Sequence, residues 1–288
     1  RPAGSNNFTG PALVAGGTLE LAAGGNAIPG SLVIGATNGA SPVAVALLAD
    51  DQIADDAVVQ VYPTGELQLG TFNETIGPLT LFAGTVDTGT GALSPESLTG
   101  VQTGIGNAGN AGTVRGILQL HTTSPNIVSV LGDTSARLEL EATLRGGGLF
   151  NPATFEKRGP GTAFLYTSNS FAGVTRVQEG ILHVLHPAAL GSKNFSTVIA
   201  SNAQVLLHGI EVAGELLSIE TGGILHSTYD SAWSGPITLA GDAFFDVDNN
   251  GASGMTLQLS GVVSGNGGFT KRSKGQLTLA GTAPNTYA

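Results

Sequence analysis

The sequence predicts an all-β fold, a single-stranded right-handed parallel β-helix (β-solenoid) of roughly a dozen coils of about 20–25 residues. Three observations lead to this fold. The chain has 288 residues, 44 of them glycine, and only 11% are charged, while a mean hydropathy of +0.21 excludes the low hydrophobicity of disordered chains. Gly and Thr, both poor helix formers, interrupt every window of helical length. A short phrase with strand periodicity recurs along the chain.

The recurrent phrase is a glycine, one further residue, and two apolar residues that flank a polar one. Alternation with a period of two is typical of a strand with one buried face. The glycine supplies a turn conformation that other residues reach only with strain. Strands this short need neighbours of the same geometry to be stable. The copies are 17–21, 65–69, 116–120, 180–184 and 275–279, with glycine-less versions at 137–140 and 256–259.

Long-range duplications favour a solenoid over an antiparallel sandwich. A sandwich would use tight hairpins, and Asn-Gly pairs occur at 38–39, 250–251 and 266–267. However, Asn6–Gly10 and Asn169–Gly173 open the same pattern 163 positions apart (171 − 8 = 163). Phe155–Arg158 returns as Phe269–Arg272, 114 positions later (269 − 155 = 114). Successive coils of a solenoid share one environment, so repeated phrases are expected there.

The stretch 148–184 resembles the autotransporter-associated β-strand repeat. It contains Phe-Glu-Lys-Arg-Gly-Pro-Gly-Thr from residue 155 and Asn-Ser-Phe-Ala-Gly from residue 169. The resemblance covers most of the chain and is weakest near 94–135. It implies a secreted β-solenoid on the bacterial cell surface and says little about activity, since such repeats occur in passengers with many roles.

We expect one continuous solenoid over 1–288, with an irregular insertion near 94–135. Both ends fall inside a repeat: 268–287 is a first half, and the chain opens on the complementary half. The partner is therefore either the continuation of a longer chain or a second copy that joins head to tail, as heterologous contacts do in open filaments. The residues predicted to take part in assembly are Asn6, Phe8, Gly10, Lys271, Asn285 and Tyr287.

Three functions remain open, and the first is a non-catalytic structural role as a surface fibre, stalk or filament. The alternative is an adhesin that binds host or matrix glycans, and the third is a polysaccharide lyase or hydrolase. The net charge of −10 argues against nucleic acid, which requires a basic stripe, and against anionic lipid. No apolar run approaches the roughly 18 residues of a transmembrane helix. We expect neither catalytic residues nor a cofactor.

One calcium candidate is present. Asp246, Asp248 and Asn250 match the opening of a calcium-binding loop, with oxygen ligands at alternate positions and a glycine sixth. The twelfth position is Leu257 instead of glutamate. The same residues also fit a strand that runs into an Asn-Gly turn, which is the interpretation we favour.

Three further patterns have a functional and a structural interpretation. Histidines at 183, 208 and 226 could form an outward ladder that holds zinc or copper, or be exposed polar positions. The Gly104–Gly109 stretch matches a dinucleotide fingerprint by letter, but a strand is predicted to follow it where that fingerprint requires a helix. The acidic cluster Asp50, Asp51, Asp55 and Asp56 could supply an acid–base pair, yet a solvated loop is favoured.

Overall fold

The computed structural model describes residues 4–39, 41–103, 109–248 and 254–288. These residues form parallel β-strands and no helix, and the described part of the chain therefore contains no helix that is long and apolar enough to cross a membrane. The strands are β1 (Ala12–Val14), β2 (Gly17–Leu21), β3 (Leu32–Ile34), β4 (Val43–Leu47), β5 (Val59–Val61), β6 (Gly65–Gln68), β7 (Glu74–Ile76), β8 (Leu79–Leu81), β9 (Thr85–Asp87), β10 (Leu93–Pro95), β11 (Ser97–Val101), β12 (Asn110–Gln119), β13 (Asn126–Leu131), β14 (Arg137–Arg145), β15 (Phe155–Arg158), β16 (Thr162–Leu165), β17 (Thr175–Val177), β18 (Ile181–Val184), β19 (Ser196–Ile199), β20 (Gln204–Leu207), β21 (Glu211–Val212), β22 (Leu216–Ile219), β23 (Ile224–Ser227), β24 (Ser231–Trp233), β25 (Ile237–Leu239), β26 (Ala243–Val247), β27 (Thr256–Leu259), β28 (Val263–Gly265), β29 (Phe269–Arg272), β30 (Gln276–Leu279) and β31 (Thr286–Tyr287).

The strands form three parallel sheets that make the sides of a solenoid of about 12 turns, as predicted. Sheet 1 has 13 strands, in the order β1-β3-β5-β8-β11-β13-β15-β17-β19-β22-β25-β28-β31. Sheet 2 has 14 strands, twelve of them in the order β2-β4-β6-β9-β12-β14-β16-β18-β20-β23-β26-β29; β10 pairs with β12, and β7 pairs with β10. Sheet 3 has four strands, β21-β24-β27-β30, and forms the third side toward the C-terminal end.

Coil length varies more than the predicted 20–25 residues. The shortest coil runs from Leu79 to its partner Leu98 (98 − 79 = 19), and the longest runs from Leu98 to Val128 (128 − 98 = 30). The described part of 94–135, where an irregular insertion was expected, consists largely of strands β11, β12 and β13 in register with the coils on either side. The ladder between β12 and β14 carries one register shift, between Asn110 and Gly112.

The core is a set of stacked apolar rows. Leu32, Val59, Leu79 and Leu98 occupy one position of four successive sheet 1 strands and are all buried. Burying each such side chain contributes about 1.5–3 kcal/mol. Trp233, the only tryptophan, is fully buried and donates its Nε1 hydrogen to the carbonyl of Glu215 at 2.9 Å.

Amide side chains also link successive coils. Asn169 Nδ2 donates to Ala189 O on the following coil at 2.6 Å, and Asn169 Oδ1 accepts from Leu144 N on the preceding coil at 2.8 Å. Asn126 Nδ2 donates to Thr154 O at 2.9 Å. These bonds pair buried backbone groups that a strand ladder would otherwise pair.

The two sequence duplications behave differently in the fold. The pattern after Asn6 and the pattern after Asn169 lead into the same sheets, since β1 and β17 lie in sheet 1 and β2 and β18 in sheet 2. By contrast, β15 lies in sheet 1 whereas its duplicate β29 lies in sheet 2. The second duplicate is therefore rotated by one side of the solenoid.

Candidate functional site

Three of the predicted assembly residues lie on the first described coil. Asn6 Nδ2 donates to Ala27 O on the next coil at 2.7 Å. Phe8 and Gly10 are exposed. Phe8 lines an apolar cavity of about 410 Å³ whose other walls include Leu19, Leu21 and Ile28.

The other three assembly residues lie on the last coil. Lys271 Nζ donates to the carbonyl two residues on at 2.6 Å. Asn285 Oδ1 accepts from Val263 N at 2.9 Å, and the exposed ring of Tyr287 lies 5.3 Å from that of Phe269. Strands β1 and β31 are opposite edges of sheet 1. Within one chain, the two sets of predicted assembly residues therefore lie at opposite ends of this sheet.

The calcium candidate is divided between a strand and residues outside the described ranges. Asp246 lies in β26, Asp248 follows the strand, and Asn250 lies outside the described residues. Asp246 stands between His226 and Arg272 on the neighbouring strands, and its Oδ1 is buried without a hydrogen-bond partner. In the described part of the chain, no group of three or more His, Cys, Asp or Glu side chains could hold a metal ion.

The three histidines do not form one ladder. His183 and His226 share an outward row of sheet 2, but Leu206 stands between them, and His208 lies two residues beyond Leu206, just after β20 ends. Burial lowers the pKa of His183 to about 4, aided by the nearby charges of His208, Arg137 and His226. Burial also lowers the pKa of His226. Both imidazoles are therefore neutral at pH 7.

A continuous stack of rings crosses the same face of sheet 2. The guanidinium of Arg137 lies 4.4 Å from the ring centre of Phe164. The ring of His183 lies 4.7 Å from Phe164 and 5.3 Å from His208, and His208 lies 4.6 Å from Tyr229. Neighbouring rings meet at interplanar angles of 44°, 56° and 68°, in tilted or edge-to-face contacts that stabilise successive coils.

The acidic cluster is a solvated turn, in agreement with the interpretation that we favoured. All four aspartates are exposed, and Asp50 Oδ1 accepts from Asn73 N at 2.6 Å. Sequence reasoning missed Glu74, which is buried beneath this turn and accepts from Gln52 N at 2.7 Å. Burial raises the pKa of Glu74 to about 7. The alternation in Glu74–Ile76 could have indicated that Glu74 faces inward.

The dinucleotide-like stretch lies mostly outside the described residues, which omit 104–108. Gly109 is described and is followed directly by strand β12. A strand at this position lacks the helix N-terminus that such a motif directs at a pyrophosphate.

A polar trough on sheet 3 was not predicted from the sequence. Its outward row places Ala232 between Glu211 and Gln258 on the neighbouring strands. Asp230 and Tyr229 lie just before this row, and Tyr229 is 43% exposed. The trough has a volume of about 410 Å³. Its residues come from three coils, so only their spacing in step with the coil length could have signalled it.

Comparison with known proteins identifies the repeats. The passenger-associated-transport-repeat family matches residues 3–21 and 155–184. The chain is 31% identical over 149 residues to the "Adhesin BmaC autotransporter" of Brucella suis biovar 1 (strain 1330), and the match covers 52% of this chain. The chain spans only 3% of the length of that relative. No solved structure matches the chain.

Proposed function

We propose that this chain, whose residues 3–21 and 155–184 match the passenger-associated-transport-repeat family, is a rod-like, non-catalytic segment of a bacterial surface adhesin. The observation that carries the proposal is the stack of about 12 coils, together with the repeats matched at residues 3–21 and 155–184. A solenoid of this kind offers long lateral faces to a ligand. Roughly 4.8 Å per coil gives a rod about 60 Å long.

The position of the buried acids supports a non-catalytic role. Burial raises the pKa of Glu74 and of Glu215 to about 7, the range in which a carboxyl group can serve as a general acid. Both face the core, where Glu74 binds the backbone of Gln52 and Glu215 accepts from the hydroxyl of Thr197 at 3.0 Å. Neither can reach a polysaccharide on the surface.

An exposed apolar pair supports surface contact. Leu149 and Phe150 are 66% and 101% exposed at the tip of a tight turn. Two backbone hydrogen bonds between Gly148 and Asn151, of 2.9 and 3.2 Å, close this turn. Large apolar side chains held outward in this way are typical of contact sites.

A bead-adhesion assay tests the adhesive role. Beads coated with the purified chain should be retained under flow on an immobilised extracellular-matrix extract, and albumin-coated beads should not. Equal retention of the two kinds of bead would refute the proposal. Periodate oxidation of the extract then separates glycan ligands, which it destroys, from protein ligands.

Head-to-tail assembly into a fibre is the second candidate function. The hydrogen bonds that asparagine side chains make between coils favour it. Asn169 bonds to the coil before it and the coil after it. Asn6 bonds to the following coil, and Asn285 bonds to the preceding coil. We therefore expect filaments in negative-stain electron microscopy, with a sedimentation coefficient that rises with protein concentration. Single rods at millimolar concentration would exclude this assembly.

A further inference from the structure

We propose that the trough on sheet 3 is a subsite for one neutral or amino sugar residue of a glycan. The inference rests on the proposed adhesive function and gives it a place and a ligand class. The side chains and backbone that the argument uses belong to Glu211, Asp230, Ala232, Gly254, Gln258 and the adjacent Tyr229.

The shape of the trough follows from one small residue between two longer ones. Ala232 pairs with Glu211 on one side and with Gln258 on the other. Strands lie about 4.8 Å apart, so the two longer side chains stand roughly 10 Å apart across the methyl group of Ala232. The volume of about 410 Å³ lies within the range of small-ligand sites, about 300–1,000 Å³.

A glycine keeps the wall of the trough open. Gly254 has a φ of +100°, and a Cβ atom added to it would meet no atom within 4 Å. The backbone conformation selects glycine, and the missing side chain leaves space that a ligand can occupy.

The polar groups suit hydroxyl recognition. The carboxylates of Glu211 and Asp230 accept hydrogen bonds, and the amide of Gln258 can both donate and accept. Asp230 is held in place because its Oδ1 accepts from Thr256 N at 2.8 Å. A sugar hydroxyl both donates and accepts, so it fits this mixed lining.

The charge of the lining selects among sugars. It includes two acidic side chains and no Lys, Arg or His. Sialic and uronic acids would place a carboxylate beside these carboxylates, and like charges at this range repel. Neutral sugars avoid the repulsion, and the ammonium group of an amino sugar gains an attraction.

Tyr229 supplies an apolar surface beside the trough. Its ring is 4.6 Å from the ring of His208 at an interplanar angle of 68°, and its carbonyl accepts from the hydroxyl of Ser231 at 3.1 Å. The residue is therefore fixed while 43% of it stays exposed. An exposed, fixed aromatic ring can pack against the C–H face of a pyranose at little entropic cost.

The test is a titration of the purified chain, followed by saturation-transfer NMR and calorimetry. The probes are lactose, the glucosamine dimer chitobiose, and 3′-sialyllactose. We expect lactose or chitobiose to bind at least tenfold more tightly than 3′-sialyllactose. Absence of binding by both uncharged and amino probes, or equal binding of 3′-sialyllactose, would overturn the assignment.

Variants locate the subsite. Tyr229→Ala, Glu211→Gln and Asp230→Asn should each weaken binding fivefold or more, and Asp230→Asn keeps an acceptor for Thr256 N. The matched controls are Leu131→Ala and Asp55→Asn, an exposed apolar side chain and an exposed acid elsewhere. Trough variants that bind as well as the controls would refute the subsite. Bead adhesion that persists in such variants would leave the adhesive function standing.

Discussion

The two copies of the Phe-x-Lys-Arg phrase, Phe155–Arg158 and Phe269–Arg272, differ in their surroundings and agree in their local structure. In each copy the lysine ammonium donates to the carbonyl two residues on, at 2.7 Å for Lys157 and 2.6 Å for Lys271. In each copy that acceptor residue is left-handed, with φ of +77° at Gly159 and +60° for its counterpart. The phrase therefore encodes a corner of the solenoid.

The surroundings come from neighbouring coils. Lys157 is fully buried, and its Nζ also donates to Arg158 O and to Glu179 O on the following coil, both at 2.9 Å. Lys271 lies in a different sheet, on the last coil, and is half-buried. The comparison teaches that the local sequence fixes the turn, while stacking decides which side the turn occupies and how deeply its lysine is buried.

The largest expected effect comes from removing the lysines. Lys157→Ala should lower the free energy of unfolding by about 3–5 kcal/mol, because it opens a cavity and leaves buried carbonyls without donors. Lys271→Ala should cost less than about 1 kcal/mol, since one half-buried hydrogen bond is lost. Urea unfolding of both variants measures the contrast. Equal losses would mean that burial by the next coil contributes nothing to this corner.

The pH dependence of stability gives a second contrast. Burial lowers the pKa of Lys157 from 10.5 to about 7, against the opposing attraction of Glu179. Between these pH values the folded chain binds fewer protons than the unfolded chain, so the free energy of unfolding should rise with pH, by on the order of 3 kcal/mol. Unfolding from pH 7 to pH 10 tests this. Lys157→Met should flatten the rise; an unchanged slope would assign it to other groups.

Substitution of the left-handed residues should have a smaller effect. Gly159→Ala should cost about 2–3 kcal/mol, because φ is positive and the new Cβ would stand 2.5 Å from Val130 O. The counterpart Ser273→Ala should be nearly neutral, since a side chain already occupies that position. Thermal unfolding compares the two. Equal destabilisation would show that the close approach to Val130 O does not account for the effect at Gly159.

The smallest expected effect is a gain in stability. Ser273 has a φ of +60°, a conformation that costs a non-glycine residue about 1 kcal/mol. Ser273→Gly should therefore raise the free energy of unfolding by about 0.5–1 kcal/mol, because the left-handed strain is removed. Gly159 provides the reference, because a glycine already occupies the equivalent left-handed position in the first copy. A destabilised Ser273→Gly variant would show that the serine side chain stabilises the corner.

The sequence was sufficient to predict the solenoid because the phrase at Gly180–Val184 and its copies alternate with strand periodicity and begin with a turn glycine. It could not predict which side each copy occupies, since the 114-residue duplication moved by one side. For a related reason the sequence left open whether the histidines form a ladder. His183 pairs with the residue 23 positions on (206 − 183 = 23). His208 is 25 positions on, so it lies two residues beyond the position that pairs with His183.

The trough was beyond sequence reasoning because Glu211, Ala232 and Gln258 are brought together by coils of unequal length. Their row follows from the register of sheet 3. No local pattern around Tyr229 marks it as exposed, whereas Phe164 in the same stack is buried. A depression made by one small residue between two longer ones exists only after the coils have stacked.

The asparagine bonds also have a mechanical consequence. When a rod is pulled from one end, its coils peel away one at a time, and each peeled coil breaks its own row of hydrogen bonds. The coil of Asn169 is joined by side-chain hydrogen bonds to both neighbouring coils. Unfolding under tension should therefore pause at this coil before the next coil is released. A surface protein built in this way should unfold stepwise under shear, and it should lengthen before it detaches.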